Sequence, residues 1–234
     1  MKLPIILLLL VSMLFCSGGT HAQNVKQEKL AKAYMVADAH LDTQWNWDIQ
    51  TTIKEYVWNT LSRNLFLLRK YPNYVFNFEG GVKYAWMKEY YPGEYEQLKS
   101  FIRSGRWHIS GSSWEASDVL VPSVESSIRN ILLGQEYYRQ EFGVESTDIF
   151  LPDCFGFGWT LPTIANHCGL IGFSSQKLDW RVNPFYGKSK HPFTIGLWQG
   201  VDGSSIMLAH GYDYGKRWKN VDLSENEELL KLAE

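Results

Sequence analysis

Short runs of β-forming residues alternate with longer helical patterns along this chain from Tyr34 onward, and this alternation limits the folds it can adopt. The predicted strands cover residues 34–37, 74–78, 107–110, 148–151, 170–174, 193–198 and 205–209. The predicted helices cover residues 51–70, 84–90, 94–104, 123–142 and 161–167. Strands separated by helices favour right-handed crossovers. We therefore predict an α/β domain with a mainly parallel sheet and flanking helices, either open or closed into a (β/α)7-barrel-like form.

Polar and aromatic side chains follow almost every predicted strand. Parallel sheets bind ligands at the carboxyl ends of their strands, so a single crevice is expected to collect these residues. They are His40, Asp42, Glu79, Trp114, Glu115, Asp118, Asp153, Lys177, Asp179 and His210.

The charge and aromatic content restrict the partner. The formal net charge is −2, and no run of Lys or Arg is present, so electrostatic capture of nucleic acid or of an anionic membrane is not expected. Aromatic residues make up 15% of the chain. Their flat faces suit sugar rings, although the same side chains can also simply fill a core. A small or uncharged ligand such as a glycan fits this composition.

The first residues predict export. Met1 and Lys2 precede an apolar stretch over 3–16, and Thr20-His21-Ala22 forms an A-x-A-like cleavage site. We interpret residues 1–22 as a signal peptide, because the apolar stretch is shorter than the roughly 20 residues of a membrane span. Bulky Phe15 disfavours a lipoprotein anchor at Cys16. The mature protein is predicted to be periplasmic or secreted.

After that cleavage, Cys154 and Cys168 remain. They could form a disulfide in an oxidising compartment or remain as two free thiols, and the sequence leaves both alternatives open.

His40 and Asp42 form a candidate metal-binding pair. Residues two apart on an extended chain point to the same side, so an imidazole nitrogen and a carboxylate oxygen can reach one cation. Asp153 lies in "LPDCFGFG", where Pro152 and two glycines predict a tight turn that lifts its carboxylate above the sheet. Three protein ligands with an open position are typical of catalytic zinc.

Four separated segments, "HLDTQW", "SGSSWEASD", "VESSIRN" and "LPDCFGFG", resemble glycoside hydrolase family 38 in order and spacing. This family comprises zinc-dependent retaining α-mannosidases, and the resemblance spans nearly all of the mature chain. It implies hydrolysis of terminal α-mannosyl residues of glycans through a covalent glycosyl-enzyme intermediate, with one zinc ion as cofactor.

The resemblance also implies a role for individual residues. His40, Asp42 and Asp153 correspond to zinc ligands, and Asp153 also corresponds to the catalytic nucleophile. Trp45, Lys177 and Tyr214 correspond to substrate-binding residues.

The resemblance further implies that residues 23–234 are an incomplete catalytic domain. The family's acid/base carboxylate and its fourth zinc ligand, a histidine, lie beyond the position of Glu234. Within the chain, His210 is the strongest alternative for that fourth ligand because it follows a predicted strand. The oligomeric state is left open.

Two other functions remain as alternatives. A metal-dependent carbohydrate deacetylase also uses Asp and His at strand ends, but its sites usually require two histidines in helical register, and no H-x-x-x-H occurs here. A non-catalytic carbohydrate-binding α/β domain would use the aromatic side chains as sugar platforms.

Overall fold

A computed structural model describes residues 36–178 and 194–210, all within the compact unit Met35–Asn220. The predicted signal peptide over 1–22, Asp179 and Tyr214 lie outside the described residues.

Within that part of the chain, strands and helices alternate as predicted. The strands are β1 (Ala37–Ala39), β2 (Phe76–Phe78), β3 (Trp107–Ile109), β4 (Asp148–Phe150), β5 (Gly172–Ser175), β6 (Ile195–Gln199) and β7 (Ser205–His210). The helices are α2 (Gly81–Tyr90), α3 (Pro92–Arg103), α4 (Val124–Phe142) and α5 (Thr160–His167), preceded by α1, which runs through Ile49–Thr51, Thr52–Val57 and Trp58–Lys70. Most predicted boundaries lie within one to three residues of these.

The strands form two hydrogen-bonded sheets, ordered β1-β2-β3 and β4-β5-β7-β6. Every pairing is parallel except that of β6 with β7. The amide of Ser112, just after β3, donates to the Asp148 carbonyl of β4 at 2.9 Å and so brings the two sheets edge to edge. The predicted α/β class with a mainly parallel sheet is confirmed, whereas closure into a (β/α)7 barrel stays a prediction.

The first strand lies further along the chain than predicted. The apolar residues over 34–37 suggested a strand that ends at Ala37, but β1 begins there and continues to Ala39. The reason is its register, since Ala37 pairs with Phe76 and Ala39 with Phe78. This shift carries β1 to within one residue of His40.

Helix α1 shows how the apolar pattern builds the core. Asp48 caps its first turn by accepting a hydrogen bond from the Thr51 amide at 2.8 Å. The predicted apolar stripe of Leu61, Leu65 and Leu68 is buried against the β1-β2-β3 sheet. The middle stretch Thr52–Val57 is π-helical, a rare conformation that often occurs near functional sites.

A second core lies under the other sheet. Phe173 of β5 and Leu208 of β7 pack with Ile164 of α5. Cys154 and Cys168 lie beside this core as free thiols, so the disulfide alternative is not observed.

In the described residues, no helix is long and apolar enough to cross a bilayer.

Candidate active site

His40 and Glu79 meet because their strands are parallel neighbours. Ala39 pairs with Phe78, so the next residue on each chain emerges at the same edge of the sheet. His40 Nδ1 lies 2.7 Å from Glu79 Oε1, and the side chains are only 11% and 4% exposed. His40 Nε2 then faces Asp42 Oδ1 at 3.5 Å. The predicted pair of His40 and Asp42 is therefore close in space, and Glu79 orients the imidazole.

The electrostatics of His40 reflect these neighbours. Burial lowers the pKa of His40, but the hydrogen bond and charge of Glu79, together with the charge of Asp42, outweigh it. The net pKa of His40 is raised above its ordinary value. The negative charges of Glu79 and Asp42 thus favour the protonated, positively charged form of the imidazole.

Asp153 and Lys177 meet at the corresponding edge of the second sheet. They follow β4 and β5, which are parallel neighbours. Lys177 Nζ lies 2.6 Å from Asp153 Oδ1, with the lysine side chain almost buried and that of Asp153 27% exposed. The same ammonium lies 4.7 Å from the centre of the Phe155 ring. Lys177 is therefore an ion-pair partner of Asp153.

The thiol of Cys154 lies within electrostatic reach of acidic groups from both sheets. Burial and the negative charges of Glu79, Asp118, Asp153 and Asp42 raise the pKa of Cys154 to about 12. These carboxylates follow four different strands, β1 to β4. Carboxylates that follow strands of both sheets therefore act on one thiol, as expected for strand ends that share a crevice.

The spacing of His40 and Asp42 suits two ligands of one zinc ion. Two ligands about 2.0–2.1 Å from a tetrahedral ion lie about 3.4 Å apart. The 3.5 Å between His40 Nε2 and Asp42 Oδ1 matches this spacing. Glu79 on the other imidazole nitrogen provides the carboxylate support common behind zinc-bound histidines. As they stand, no three His, Cys, Asp or Glu side chains of the described segments are close enough to hold a metal. The donor atoms of His40 and Asp42 are of the kinds that zinc binds, and their spacing already suits two ligands of one ion.

Other predicted residues have different surroundings. Trp45 is 70% exposed, with its ring 5.7 Å from that of Trp47. His210 is the last residue of β7 rather than a loop residue, and it is buried. Asp118 is exposed and accepts a hydrogen bond from the Leu120 amide at 2.9 Å. Among the predicted residues, the structure thus forms two close groups: His40, Asp42 and Glu79 after β1 and β2, and Asp153 and Lys177 after β4 and β5.

Sequence reasoning missed Lys83. Its side chain is completely buried, and its ammonium lies 2.9 Å from Glu115 Oε1. The other carboxylate oxygen of Glu115 contacts the hydroxyl of Thr43, one residue after Asp42. Glu115 was considered only as a possible pocket-lining residue, and a lysine on a helix is ordinarily solvated. Only the adjacent Gly80-Gly81 pair marked this place as unusual in the sequence.

The fold and the site define an α/β protein with a histidine and several acidic residues at the carboxyl ends of parallel strands. A model of the glycosyl hydrolases family 38 N-terminal domain matches residues 30–233. The chain therefore belongs to glycosyl hydrolase family 38.

Curated relatives agree with this family. The chain is 34% identical over 180 residues to alpha-mannosidase G of Dictyostelium discoideum, covering 77% of this chain and 16% of the relative. It is 34% identical over 195 residues to human alpha-mannosidase 2C1, covering 82% of this chain and 18% of the relative. The chain thus spans less than a fifth of the length of these relatives.

Solved structures share the fold. An alpha-mannosidase from Enterococcus faecalis V583 superposes with a TM-score of 0.66 at 23% identity, covering 77% of this chain and 20% of that one. A 4-alpha-glucanotransferase from Thermococcus litoralis gives a TM-score of 0.57 at 16% identity, covering 75% and 27%. At these identities the likeness concerns the fold alone.

Proposed function

We propose that this chain is the α/β domain of a zinc-dependent retaining α-mannosidase that hydrolyses terminal α-mannosyl residues of glycans. Membership of family 38 and the names of the relatives support the substrate class. The observation that carries the proposal is the arrangement of His40, whose Nδ1 atom lies against Glu79 and whose Nε2 atom lies 3.5 Å from Asp42. The charges of Asp42 and Asp153 also act on the same thiol, that of Cys154.

His40, Asp42 and Asp153 would hold the zinc ion. When bound, zinc would supply a Lewis acid for vicinal hydroxyl groups of the sugar. The 27% exposure of the Asp153 side chain leaves its carboxylate accessible from the crevice. Trp45, with its exposed indole, would provide a flat surface for the sugar ring. Tyr214, outside the described residues, is kept as a proposed substrate contact.

Asp153 would act as the nucleophile. A carboxylate oxygen attacks the anomeric carbon, the bond from that carbon to the leaving oxygen breaks, and an acidic group protonates the leaving oxygen. Water then cleaves the glycosyl-enzyme ester and regenerates the carboxylate. Lys177, 2.6 Å from Asp153, would orient the carboxylate and contact the substrate. The second carboxyl group that this scheme needs, about 5–5.5 Å from the first, is not assigned to a residue of this chain.

The test is hydrolysis of an aryl α-mannoside by the full-length protein loaded with zinc. Asp153→Asn keeps the size of the side chain but removes the nucleophile, and a loss of kcat on the order of 10³-fold or more is expected. Asp48→Asn is the matched control, because Asn caps a helix as well as Asp does and Asp48 is exposed. Full activity of Asp153→Asn would refute the nucleophile, and activity unaffected by exhaustive chelation would refute the zinc requirement.

We also propose that the protein is exported and that residues 1–22 are removed. The lysine followed by an apolar stretch and an A-x-A-like site supports this. Amino-terminal sequencing of the protein from the periplasm or medium should begin at Gln23. A mature protein found only in the cytoplasm, beginning at Met1, would contradict export.

A further inference from the structure

The loop after β3, residues 110–117, is held rigidly from several sides. We call it the β3 loop. The amide group of Asn130 on α4 clamps Glu115, accepting from its backbone N–H at 3.0 Å and donating to its carbonyl at 2.8 Å. The carbonyl of Asn130 accepts from the Trp114 amide at 2.8 Å. On the other side, the Val82 amide at the start of α2 donates to the Trp114 carbonyl at 3.0 Å. The backbone of Glu115 is therefore fixed between two helices.

The carboxylate of Glu115 is fixed as well. Its Oε1 atom accepts from Lys83 Nζ at 2.9 Å and from the Ala116 amide at 2.8 Å. A fully buried ammonium needs a charged partner, because unpaired burial of a charge is very costly. Room for Lys83 depends on Gly80, which has φ +86° and where a Cβ atom would lie 2.8 Å from Lys83 Nζ. This packing directs the second carboxylate oxygen, Oε2, toward the end of β1.

The group that Oε2 meets there is the hydroxyl of Thr43. Thr43 lies between the candidate ligand Asp42 and the candidate sugar platform Trp45. The other side of Thr43 is tied to α1, because its carbonyl accepts from Thr52 Oγ1 at 2.7 Å. Thr52 Oγ1 also accepts from Trp47 Nε1 at 2.9 Å. We call residues 40–47 the β1 segment. It is thus anchored to α1 through Thr52, and the Thr43–Glu115 contact joins it to the β3 loop.

We propose that Glu115 is a positioning residue of the active site, which acts through the Thr43 hydroxyl to fix the β1 segment so that Asp42 and Trp45 face the crevice. This inference rests on the proposed function, which gives Asp42 and Trp45 their roles. Glu115 itself does not touch the substrate in this arrangement. The ion pair with Lys83 holds the carboxylate of Glu115 in place. The contact of that carboxylate with Thr43 then holds the neighbouring residue Asp42.

A purely structural role for Glu115 as the counter-ion of Lys83 makes a different prediction. In that case only the Lys83–Glu115 contact matters, and the Thr43 hydroxyl can be removed without effect on the site. Thr43→Val removes the hydroxyl while keeping the branched shape, and it leaves the ion pair intact. Thr43→Ser restores the hydroxyl. Thr147→Val is the matched control, since Thr147 is exposed and precedes β4 at the opposite edge of the sheet.

The experiment uses the full-length protein with three measurements. Hydrogen exchange by mass spectrometry on the metal-free protein reports the order of the β1 segment. Titration with cobalt(II) against a chelator reports metal affinity, and an aryl α-mannoside reports kcat and KM. For Thr43→Val we expect exchange of peptides within 40–47 to rise about tenfold with the other peptides unchanged. We also expect metal affinity to fall about 10-fold or more, as for other groups that orient metal ligands. Thr43→Ser should return both values to those of the unmodified protein.

The outcomes separate the two proposals. If the unmodified protein binds cobalt and hydrolyses the mannoside but Thr43→Val matches Thr147→Val in exchange and affinity, the positioning role is overturned while the proposed function stands. A rise in exchange across all peptides of Thr43→Val would also overturn it, because it indicates a general loss of stability. If the unmodified protein neither binds cobalt nor hydrolyses the mannoside, the proposed function fails and the inference fails with it.

Discussion

The Nδ1 atom of His40 lies 2.7 Å from the Oε1 atom of Glu79, and both side chains are nearly buried. This contact fixes the plane of the imidazole and directs its other nitrogen toward Asp42. It exists because β1 and β2 are parallel neighbours whose last paired residues are Ala39 and Phe78. The register of β1 with β2 thus determines the orientation of His40, a candidate metal ligand.

Replacement of Glu79 tests this orientation. Glu79→Gln keeps the shape but removes the charge that favours one imidazole orientation, so zinc affinity should fall about 10- to 100-fold. Competition with a fluorescent chelator measures the change. Glu125→Gln is the control, because Glu125 forms an exposed pair with Arg129 on α4. Equal zinc affinity in the two variants would contradict the role of Glu79.

The contact between α4 and the β3 loop predicts an unusual response to alanine. A Cβ atom at Gly134 would lie 2.1 Å from the Ser112 carbonyl oxygen, which belongs to the backbone and has no room to move away. Gly134→Ala should therefore destabilise the protein by about 1–3 kcal/mol through overpacking. This is the reverse of the gain of about 1 kcal/mol that alanine ordinarily brings within a helix.

Urea denaturation measures this effect, and Gly93→Ala supplies the control. Gly93 is also helical, and a Cβ atom there would meet nothing within 4 Å. Gly93→Ala should leave the midpoint unchanged or raise it slightly. A Gly134→Ala variant as stable as Gly93→Ala would show that the β3 loop is not held tightly against α4.

The alternation of elements was predictable because it depends on local patterns. The apolar spacing of Leu61, Leu65 and Leu68 predicts a helix face, and the structure buries all three residues. The contact between His40 and Glu79 just beyond two strands was also predictable in outline, since neighbouring parallel strands end at the same edge.

Other parts of the site depend on packing between distant residues. The Lys83–Glu115 pair spans 32 positions and has no periodic signal in the sequence. The antiparallel pairing of β6 with β7 did have a signal, because Asp202-Gly203 between two β-forming runs is typical of a hairpin turn. Gly203 has φ +85°, the conformation that such a turn requires. The prediction of a mainly parallel sheet relied on the alternation of helices and strands and did not use this hairpin signal.

The raised pKa of Cys154 predicts that only a small fraction of its thiol is ionised in the metal-free protein. With a pKa raised to about 12 by burial and four carboxylates, only about one thiol in 10⁴ is ionised at pH 8. Alkylation by iodoacetamide, followed by peptide mass spectrometry, should therefore be slow and should rise about tenfold per pH unit through pH 10. In denaturant the rate should level off near pH 9, as for an ordinary thiol. The same levelling in the folded protein would contradict the raised pKa.

The turn between β6 and β7 predicts a stability that depends on pH. Hydrogen bonds from the Ser204 hydroxyl at 2.6 Å and the Thr163 hydroxyl at 2.7 Å lead the groups that hold the pKa of Asp202 below its ordinary value. His167 Nε2 lies 3.0 Å from the same carboxylate and ties the turn to α5. Because the folded pKa is lower than the unfolded one, the ionised carboxylate stabilises the fold above about pH 3.9. That contribution is lost as the pH falls through the folded value.

Asp202→Asn removes this dependence. The variant should melt at a lower temperature than the unmodified protein at pH 7. The difference should shrink steadily below about pH 4, because the unfolded state of the unmodified protein then binds a proton that its folded state does not. Melting followed by circular dichroism from pH 7 to pH 3 measures both curves. Glu125→Gln should show little difference at any pH, because exposed ion pairs contribute little to stability. A difference between Asp202→Asn and the unmodified protein that stays constant down to pH 3 would mean that Asp202 acts through its shape rather than its charge.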